Sequence, residues 1–352
     1  MNPSQMHKID DLRIIQHRPL VPPAILIEEL PLTCDIADNV WLTRKTIADI
    51  IHGRDRRLLA IVGPCSIHDP EGALVYAEKL REISKSVESR ILVVMRAYFE
   101  KPRTNVGWKG LINDPDLDES FQVNKGLRLA RKLLLEINQL GLPTGSEFLD
   151  LQIPQHVGDL TSWVAIGART TESQVHRELA SGLSTPVGFK NTTDGNLTPA
   201  IDAVQSAGVR HSFLAVSKQG LSSIFQTTGN EDCHIILRGG SRTGPNHDEE
   251  SVARACSALE KRGLPARVMV DCSHGNCGKD YQVQTEVLRE VGRQLKAGSE
   301  GILGVMIESN LVEGRQEFVP GQPLVFGQSI TDGCISIEET GLLLEELAAS
   351  AG

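Results

Sequence analysis

The chain has 352 residues, 40% of them hydrophobic, which is enough for one large globular domain or two ordinary ones. No apolar run approaches the roughly 18–20 residues of a membrane span, and the N-terminus lacks the apolar core of a signal peptide, so we expect a cytoplasmic protein. A formal net charge of −9 argues against general nucleic-acid binding.

The first 56 residues precede the first predicted strand. They contain one amphipathic helix, predicted roughly over residues 36–53. We therefore divide the chain into an N-terminal arm, 1–56, and a main domain, 57–352.

Within the main domain, short apolar runs alternate with amphipathic helices. Eight such runs are predicted as strands, at 57–65, 91–99, 143–148, 163–169, 186–191, 233–240, 266–274 and 301–309. Strands and helices that alternate in this number predict an α/β protein with a parallel sheet closed into a (β/α)8 barrel.

One segment, about residues 211–232, does not fit the alternation. Two strand-like runs flank a Lys-Gln-Gly turn in it, which predicts a β-hairpin. Because these runs would raise the strand count above eight, we place the hairpin as an insertion in the barrel.

Four predicted strands carry a cation where their apolar run ends. These residues are Arg96, Arg169, Lys190 and Arg238. One such cation is usually a solvated strand end, but the carboxyl ends of barrel strands converge on one mouth, where barrel enzymes place their chemistry. In an acidic protein, this concentration of cations predicts an anion site.

The loop after the second strand adds more polar groups to the same mouth. It carries Lys101, Arg103 and Thr104, with Pro102 restricting the backbone between them. Arginine suits bidentate phosphate or carboxylate binding, and lysine can also transfer a proton. So many cations predict two phosphorylated or carboxylated substrates rather than one.

The other strands bring soft and hard metal ligands to the mouth. The candidates are Cys65, His274, Glu308 and Asp332. Each alone is more often a core, cap or turn residue, but together they favour a divalent transition metal, with Mn²⁺, Fe²⁺, Co²⁺ or Zn²⁺ admitted and Mg²⁺ and Ca²⁺ disfavoured by the thiolate.

Four nearby side chains are weighed between two roles. His68 follows Cys65 at metal-ligand spacing, and a ligand or base role is weighed against a local structural one. Cys272 and Cys277 lack the second Cys or His pair of a zinc finger, so we interpret them as structural. Lys190 could form a Schiff base as in an aldolase, although phosphate binding is favoured among so many cations.

Several motifs give the chain a family resemblance. The segments "GPCSIHD", "MRAYFEKPRTNVGWKGLINDP", "AIGARTTESQVHRE", "PVGFKN", "HIILRGG", "SHGN" and "ITDGC" resemble type I 3-deoxy-D-arabino-heptulosonate-7-phosphate (DAHP) synthase, in its amino-acid-regulated subgroup. The resemblance extends from about Asp10 to the C-terminal helix, and "KPRT" and "GARTTESQ" are its most specific parts.

The resemblance implies a reaction and a set of site residues. Phosphoenolpyruvate would condense with D-erythrose 4-phosphate and release phosphate, as the first step of the shikimate pathway to aromatic amino acids. The metal ligands implied are Cys65, His274, Glu308 and Asp332, with one divalent ion per subunit. The substrate-binding residues implied are Arg96, Lys101, Pro102, Arg103, Thr104, Gly167, Ala168, Arg169, Lys190, Arg238 and Asp332.

The same resemblance assigns catalytic roles to Lys101, His274 and Cys65. The metal would polarise the aldehyde as a Lewis acid, and Lys101 would be the general acid for the developing alkoxide. Arg103 and Thr104 would hold the phosphate of erythrose 4-phosphate.

The arm and the hairpin are implied to bind an aromatic amino acid inhibitor and to form subunit contacts in a homo-oligomer, a dimer or a tetramer. The effector positions implied are Asp10, Asp11, Pro154, Gln155, Ser184, Phe213, Ala215 and Phe225. In the resemblance, the Phe-sensitive form has a serine at the position that matches 215, and the Tyr-sensitive form has a glycine there. Because alanine lacks the hydroxyl and leaves more room, we expect tyrosine, with phenylalanine and tryptophan as alternatives.

Other functions remain to be weighed. The family that catalyses the sister reaction with arabinose 5-phosphate has a motif that resembles "KANRTS". This chain has "KPRT" at that place, which counts against the sister reaction. A catalytically silent barrel that only senses metabolites would be favoured by the loss of a ligand or a mouth cation, and none is missing from the sequence.

Overall fold

A computed structural model of the chain describes residues 9–103 and 107–351. Its strands are β1 (Leu58–Gly63), β2 (Ile91–Arg96), β3 (Thr144–Glu147), β4 (Trp163–Ile166), β5 (Val187–Lys190), β6 (Ser212–Val216), β7 (Ser222–Gln226), β8 (Cys233–Leu237), β9 (Val268–Asp271), β10 (Ile302–Asn310), β11 (Val312–Arg315), β12 (Gln328–Ser329) and β13 (Ile335–Ser336).

The helices alternate with the barrel strands, apart from two that precede β1. They are α1 (Pro23–Glu29), α2 (Cys34–Ile51), α3 (Pro70–Val87), α4 (Val123–Gln139), α5 (Ile153–Val157), α6 (Gln174–Gly182), α7 (Thr198–Ala207), α8 (Glu249–Glu260), α9 (Gln284–Lys296) and α10 (Ile337–Ala348). In the described residues, no helix combines the length and apolar character needed to cross a membrane.

Eight parallel strands close into a barrel. Their order is β1-β2-β3-β4-β5-β8-β9-β10, and β10 pairs back with β1 from Leu59–Gly304 to Gly63–Glu308. Gly304 permits this closure, because a Cβ there would lie 1.9 Å from the Leu59 carbonyl oxygen. The predicted (β/α)8 barrel with an N-terminal extension and an inserted hairpin is confirmed.

Most barrel strands are apolar runs with polar residues at their carboxyl ends, as expected where both faces are covered, whereas β3 is Thr-Gly-Ser-Glu. Every residue of β1, β5 and β8 is buried, for example. The barrel interior is filled by a cluster that includes Ile61, Trp163, Met269 and Met306, and the larger cluster lies between the strands and the surrounding helices. This packing fixes the strand ends from which the mouth is built.

Local sequence explains the helix that follows β1. Pro70 occupies its first turn, and the Asp69 side chain accepts a hydrogen bond from the Glu71 backbone N–H. Proline and a capping aspartate satisfy the free N–H groups at a helix start. The chain therefore turns into α3 soon after Cys65.

The inserted hairpin consists of β6 and β7, antiparallel, with Phe213 opposite Phe225 and Leu214 opposite Ile224. Its turn packs against the N-terminal segment and α5. The Lys218 carbonyl accepts the Ala24 N–H, and the Lys218 ammonium donates to the Gln155 carbonyl.

Arg131 of α4 joins the N-terminal segment to α5 and the turn that follows it. Its guanidinium donates to the Leu30 carbonyl (2.9 Å), to the His156 carbonyl (2.9 Å) and to both carboxylate oxygens of Asp159 (2.7 and 2.9 Å). The side chain is fully buried. The N-terminal segment is thus fixed to the barrel wall by a buried charge as well as by apolar packing.

Candidate active site at the mouth of the barrel

Three candidate metal ligands meet at the carboxyl ends of the strands. Ligand atoms of Cys65, Glu308 and Asp332 all lie within 4.8 Å of one another. The register of the closing pair explains two of them, since Gly63 lies opposite Glu308 and Cys65 follows two residues later. Asp332 arrives from the loop before β13, with its Oδ2 atom 3.5 Å from the Cys65 sulfur.

The donor set of this group fits a divalent transition metal. A thiol and two carboxylates combine soft and hard donors, as transition-metal sites do. Cys65 is fully buried, and burial, with the Glu308 carboxylate adding to it, raises the pKa of its thiol to about 11. A metal would have to displace that proton to bind the sulfur as thiolate.

His274 lies beside this group rather than within it. Its Nε2 atom is 3.9 Å from Glu308 Oε1, and its Nδ1 atom is 3.0 Å from Asp271 Oδ2. The His274 backbone has a φ of +58°, a left-handed conformation that is uncommon outside glycine. His68 is not a member of the group, and burial lowers the pKa of its imidazole.

Arg96 supports the ligand group from below. Its Nη2 atom lies 3.0 Å from Glu308 Oε1 and its Nε donates to the Pro64 carbonyl (3.0 Å). The guanidinium carbon lies 3.5 Å from the centroid of the Tyr98 ring, and the arginine is 1% exposed. These contacts of Arg96 fix the orientation of the Glu308 carboxylate.

Lys101 points into the same group from the loop after β2. Its ammonium nitrogen is 3.0 Å from the Cys65 sulfur and 3.4 Å from the Cys65 carbonyl oxygen. Burial opposes the charged form, but Cys65 and Glu308 outweigh it and hold the pKa of Lys101 above its ordinary value. The side chain is therefore an ammonium group aimed at the ligands.

Arg103 and Pro102 follow Lys101 in the same loop. Arg103 is exposed and donates from Nε to the Trp108 carbonyl (2.8 Å), and Pro102 is half-buried. Thr104, which was also predicted to bind substrate, lies outside the described residues. The loop can thus present Arg103 to a second anion at the rim.

The remaining predicted cations lie across the mouth. Lys190 ends β5 and its ammonium nitrogen lies 3.0 Å from Asp271 Oδ2. Arg238 follows β8, half-buried, and burial lowers the pKa of its guanidinium despite the nearby Asp271. Arg169 follows β4 and is exposed at the rim.

Gly167 and Ala168 connect β4 to Arg169. A Cβ at Gly167 would lie 2.3 Å from Glu147 Oε1, so glycine lets the backbone lie against that carboxylate. The backbone therefore comes close to the mouth without a side chain in the way.

The implied effector positions lie in three places. Phe213, Ala215 and Phe225 share one face of the hairpin, and the two phenylalanine rings lie 6.1 Å apart between centroids. Pro154 and Gln155 lie in α5, where the Gln155 carbonyl accepts a hydrogen bond from Lys218 of the hairpin turn. Ser184 follows α6. Asp10 and Asp11 lie in the exposed arm.

Asp271 is the site residue that the sequence reasoning did not assign. The sequence places Asp271 only within the seventh predicted strand, 266–274, yet the side chain is fully buried between Lys190 and His274. Burial alone would raise the pKa of Asp271, but His274 and Lys190 hold it well below its ordinary range. The signal available was an acid at a buried strand end, three residues before a candidate ligand.

Comparisons with known proteins show which family the chain is similar to. The model of the DAHP synthetase I family matches residues 34–345. The Phe-sensitive phospho-2-dehydro-3-deoxyheptonate aldolase of Escherichia coli K12 is 56% identical over 339 residues, 96% of each chain. The Trp-sensitive enzyme of Enterobacter agglomerans is 54% identical over 343 residues, 97% of this chain and 98% of that one.

A solved structure gives the same result at the level of the fold. The phospho-2-dehydro-3-deoxyheptonate aldolase of Francisella tularensis SCHU S4 superposes with a TM-score of 0.94 at 52% identity. The match covers 96% of this chain and 98% of that chain.

Proposed function

The chain belongs to the DAHP synthetase I family, and on that premise we propose that its barrel mouth condenses phosphoenolpyruvate with D-erythrose 4-phosphate and water to give DAHP and phosphate. The observation that carries the proposal is the contact between Lys101 and the ligand group. An ammonium donor lies 3.0 Å from Cys65, whose sulfur, together with Glu308, would face a metal.

The metal is the first component of the proposed site. The residues that would hold one divalent ion are Cys65, His274, Glu308 and Asp332. When bound, the ion supplies Lewis-acid polarisation of the aldehyde carbonyl. Its identity is left within Mn²⁺, Fe²⁺, Co²⁺ and Zn²⁺, since thiolate, imidazole and carboxylate together admit all four.

The cations bind and orient the two substrates. The residues proposed to hold phosphoenolpyruvate are Arg96, Lys101, Arg169, Lys190 and Arg238, with the Gly167–Ala168 backbone near its phosphate. Arg103, Thr104 and Pro102 are proposed to form the subsite for the erythrose 4-phosphate phosphate. Fixing both molecules converts a bimolecular encounter into a step within one complex.

Lys101 is proposed to move the proton. As C3 of phosphoenolpyruvate attacks the aldehyde carbon, the aldehyde oxygen becomes an alkoxide and takes a proton from the Lys101 ammonium. Water adds at C2 and loses a proton, which gives a phosphohemiketal. Phosphate leaves when the bond between C2 and the oxygen that carries the phosphorus breaks. Arginine and lysine side chains stabilise the leaving dianion by charge-assisted hydrogen bonds.

A phosphate-release assay tests this function. We expect release only when phosphoenolpyruvate and erythrose 4-phosphate are both present, loss of release after chelation, and recovery when Mn²⁺ is added back. Arabinose 5-phosphate in place of erythrose 4-phosphate serves as the matched control. Turnover by a chelated, metal-free enzyme would contradict the proposed ligand set.

We also propose inhibition by an aromatic amino acid bound between the hairpin, α5 and the arm of a neighbouring subunit. The support is the pair of phenylalanines with Ala215 on one hairpin face, together with relatives that are Phe-sensitive and Trp-sensitive. Tyrosine is the effector proposed from Ala215. The same assay, repeated with Phe, Tyr and Trp, identifies the inhibitor, and the absence of inhibition by all three would contradict regulation at this surface.

A further inference from the structure

A single buried carboxylate contacts both halves of the mouth. Asp271 Oδ2 lies 3.0 Å from the Lys190 ammonium nitrogen and 3.0 Å from His274 Nδ1. Lys190 belongs to the cations of the mouth and His274 lies beside the metal-ligand group. Asp271 therefore connects the two halves through one oxygen atom.

The other oxygen of Asp271 is anchored by the next turn of chain. Oδ1 accepts hydrogen bonds from the Ser273 backbone N–H (3.0 Å) and from the Ser273 hydroxyl (2.7 Å). The Asp271 side chain is fully buried at the end of β9. The carboxylate is thus held against rotation, and the positive φ of His274 brings the imidazole back toward it.

This contact decides which imidazole nitrogen carries the proton. A neutral imidazole has one N–H, and a carboxylate can only accept a hydrogen bond. Nδ1 lies 2.6 Å from the Ser273 hydroxyl, which itself donates to Asp271 Oδ1, and 3.0 Å from Asp271 Oδ2. Both oxygens can only accept from Nδ1, so the proton is held there, and the lone pair is left on Nε2, which faces Glu308. Only an unprotonated imidazole nitrogen can bind a metal.

We propose that Asp271 is a positioning residue, which fixes the Nδ1–H tautomer of His274 for the metal and holds Lys190 for the anionic substrate. The metal and the substrate in this statement rest on the proposed function. Asp271 itself touches neither, since it lies behind His274 and Lys190 at the base of the mouth.

The substitution Asp271→Asn tests the tautomer. An asparagine of the same shape can turn its NH₂ group toward Nδ1, which moves the proton to Nε2 and blocks the metal-binding nitrogen. We expect Co²⁺ to bind the chelator-treated full chain about 10–100-fold more weakly than it binds the wild type, because outer partners of ligating histidines have effects of this size. Co²⁺ binding is followed by the thiolate-to-metal charge-transfer absorption of Cys65.

Two matched variants separate the possible causes of a loss. Ser273→Ala removes the hydroxyl that contacts Nδ1 but keeps the carboxylate, which still accepts the Nδ1 proton, and we expect it to weaken Co²⁺ binding less than Asp271→Asn does. Lys190→Met removes only the cation on Oδ2, and we expect it to weaken phosphoenolpyruvate binding while Co²⁺ affinity stays near that of the wild type. Unchanged Co²⁺ affinity in Asp271→Asn, or equal losses in all three variants, would overturn the positioning role.

A measurement on the wild type covers the case in which Asp271→Asn does not fold. In ¹⁵N-histidine-labelled protein loaded with Zn²⁺, the His274 signals should show a protonated Nδ1 and a metal-bound Nε2. The reverse assignment would overturn the proposal.

The proposed reaction and the positioning role of Asp271 can be contradicted separately. Co²⁺ binding that depends on Asp271, in a chain that releases no phosphate, would overturn the proposed reaction and leave the positioning role supported. A wild type that binds no Co²⁺ would overturn the metal site and this inference together.

Discussion

At the scale of single residues, the mouth differs from an ordinary strand end because its charges are buried beside each other. Arg96, Lys190 and Asp271 are each at most 3% exposed. Charged groups are rarely so buried unless they are paired, and each of these is. A residue change here alters both the charge of the mouth and the geometry of its neighbours.

The first prediction concerns Lys101. In the substitution Lys101→Met, we expect kcat to fall by about 10²–10⁴-fold, because the alkoxide loses its positioned acid. Steady-state phosphate release with both substrates measures it. The control is Lys109→Met, an exposed lysine in the same loop, and an equal loss of kcat in both variants would contradict a specific role for Lys101.

The second prediction concerns His234 in the barrel interior. Its Nε2 atom accepts a hydrogen bond from the Trp163 indole N–H (3.0 Å), and burial lowers the pKa of its imidazole to about 4. The folded state keeps this histidine neutral, whereas the unfolded chain takes up a proton below about pH 6.5. Stability from this group is therefore full above pH 6.5 and is lost as the pH falls toward 4.

We expect this loss to reach about 2 kcal/mol at pH 5 relative to pH 7.5. Urea unfolding of the wild type and of His234→Gln at both pH values measures it, and the variant should have a smaller difference in unfolding free energy between them. His17→Gln, at an exposed histidine, is the control. Equal pH dependence in wild type and His234→Gln would show that His234 is not the source.

At the scale of elements, the N-terminal segment and the hairpin are fixed to one place on the barrel. Lys218 contacts Ala24 of the N-terminal segment and Gln155 of α5, and Arg131 likewise contacts Leu30 and His156. A change in α5 is therefore felt by the arm and the hairpin together. This is the physical connection that an effector bound there would use.

The third prediction tests that connection through two arginines of α4. Arg131→Met should lower the free energy of unfolding by about 3–5 kcal/mol, because it leaves Asp159 without its buried partner. Arg128→Met, which loses only an exposed pair with Glu29, should cost about 0–1 kcal/mol. Chemical denaturation measures both, and similar losses in the two variants would contradict the structural role of Arg131.

Much of the fold could be predicted from element patterns alone, for a definite reason. A buried parallel strand usually has a continuous apolar run, which marked most of the barrel strands, whereas β3, Thr-Gly-Ser-Glu, was placed by the alternation with helices. The hairpin stood out because a Lys-Gln-Gly turn joins its two runs. The site was less accessible: Cys65, Glu308 and Asp332 are far apart in the chain, and only barrel closure brings them together.

Two features could not be read from the sequence. The bond between Asp271 and His274 depends on a left-handed backbone at a non-glycine residue, which no residue pattern indicates. The burial of Arg131 depends on the carbonyl groups of Leu30 and His156 and on the carboxylate of Asp159. Contacts of this kind are tertiary, and local propensity carries no information about them.

At the scale of the whole molecule, one face of the hairpin remains uncovered. Leu214 is 83% exposed and Ile224, its cross-strand partner, is 73% exposed. Ile14 and Ile15 of the arm are exposed as well. Adjacent exposed apolar side chains of this kind mark interaction surfaces, so we propose that these residues contact other subunits in a homo-oligomer, a dimer or a tetramer.

The fourth prediction follows from that surface. The double substitution Leu214→Glu and Ile224→Glu should lower the molar mass measured by light scattering after size-exclusion chromatography, because charges cannot be buried unpaired at an interface. Leu342→Glu, at an exposed leucine of α10, should leave the mass unchanged. A double variant with the wild-type mass would exclude the hairpin face from the assembly.

The closing pair of strands also has a consequence for the order in which the enzyme is made. Cys65 leaves the ribosome early, Glu308 belongs to the last barrel strand, and Asp332 follows it. A nascent chain therefore cannot assemble the proposed ligand group until β10 has joined β1 and the loop that carries Asp332 has followed. Catalytic competence is acquired in one late step, and the appearance of activity during synthesis would report the moment at which the two ends of the barrel meet.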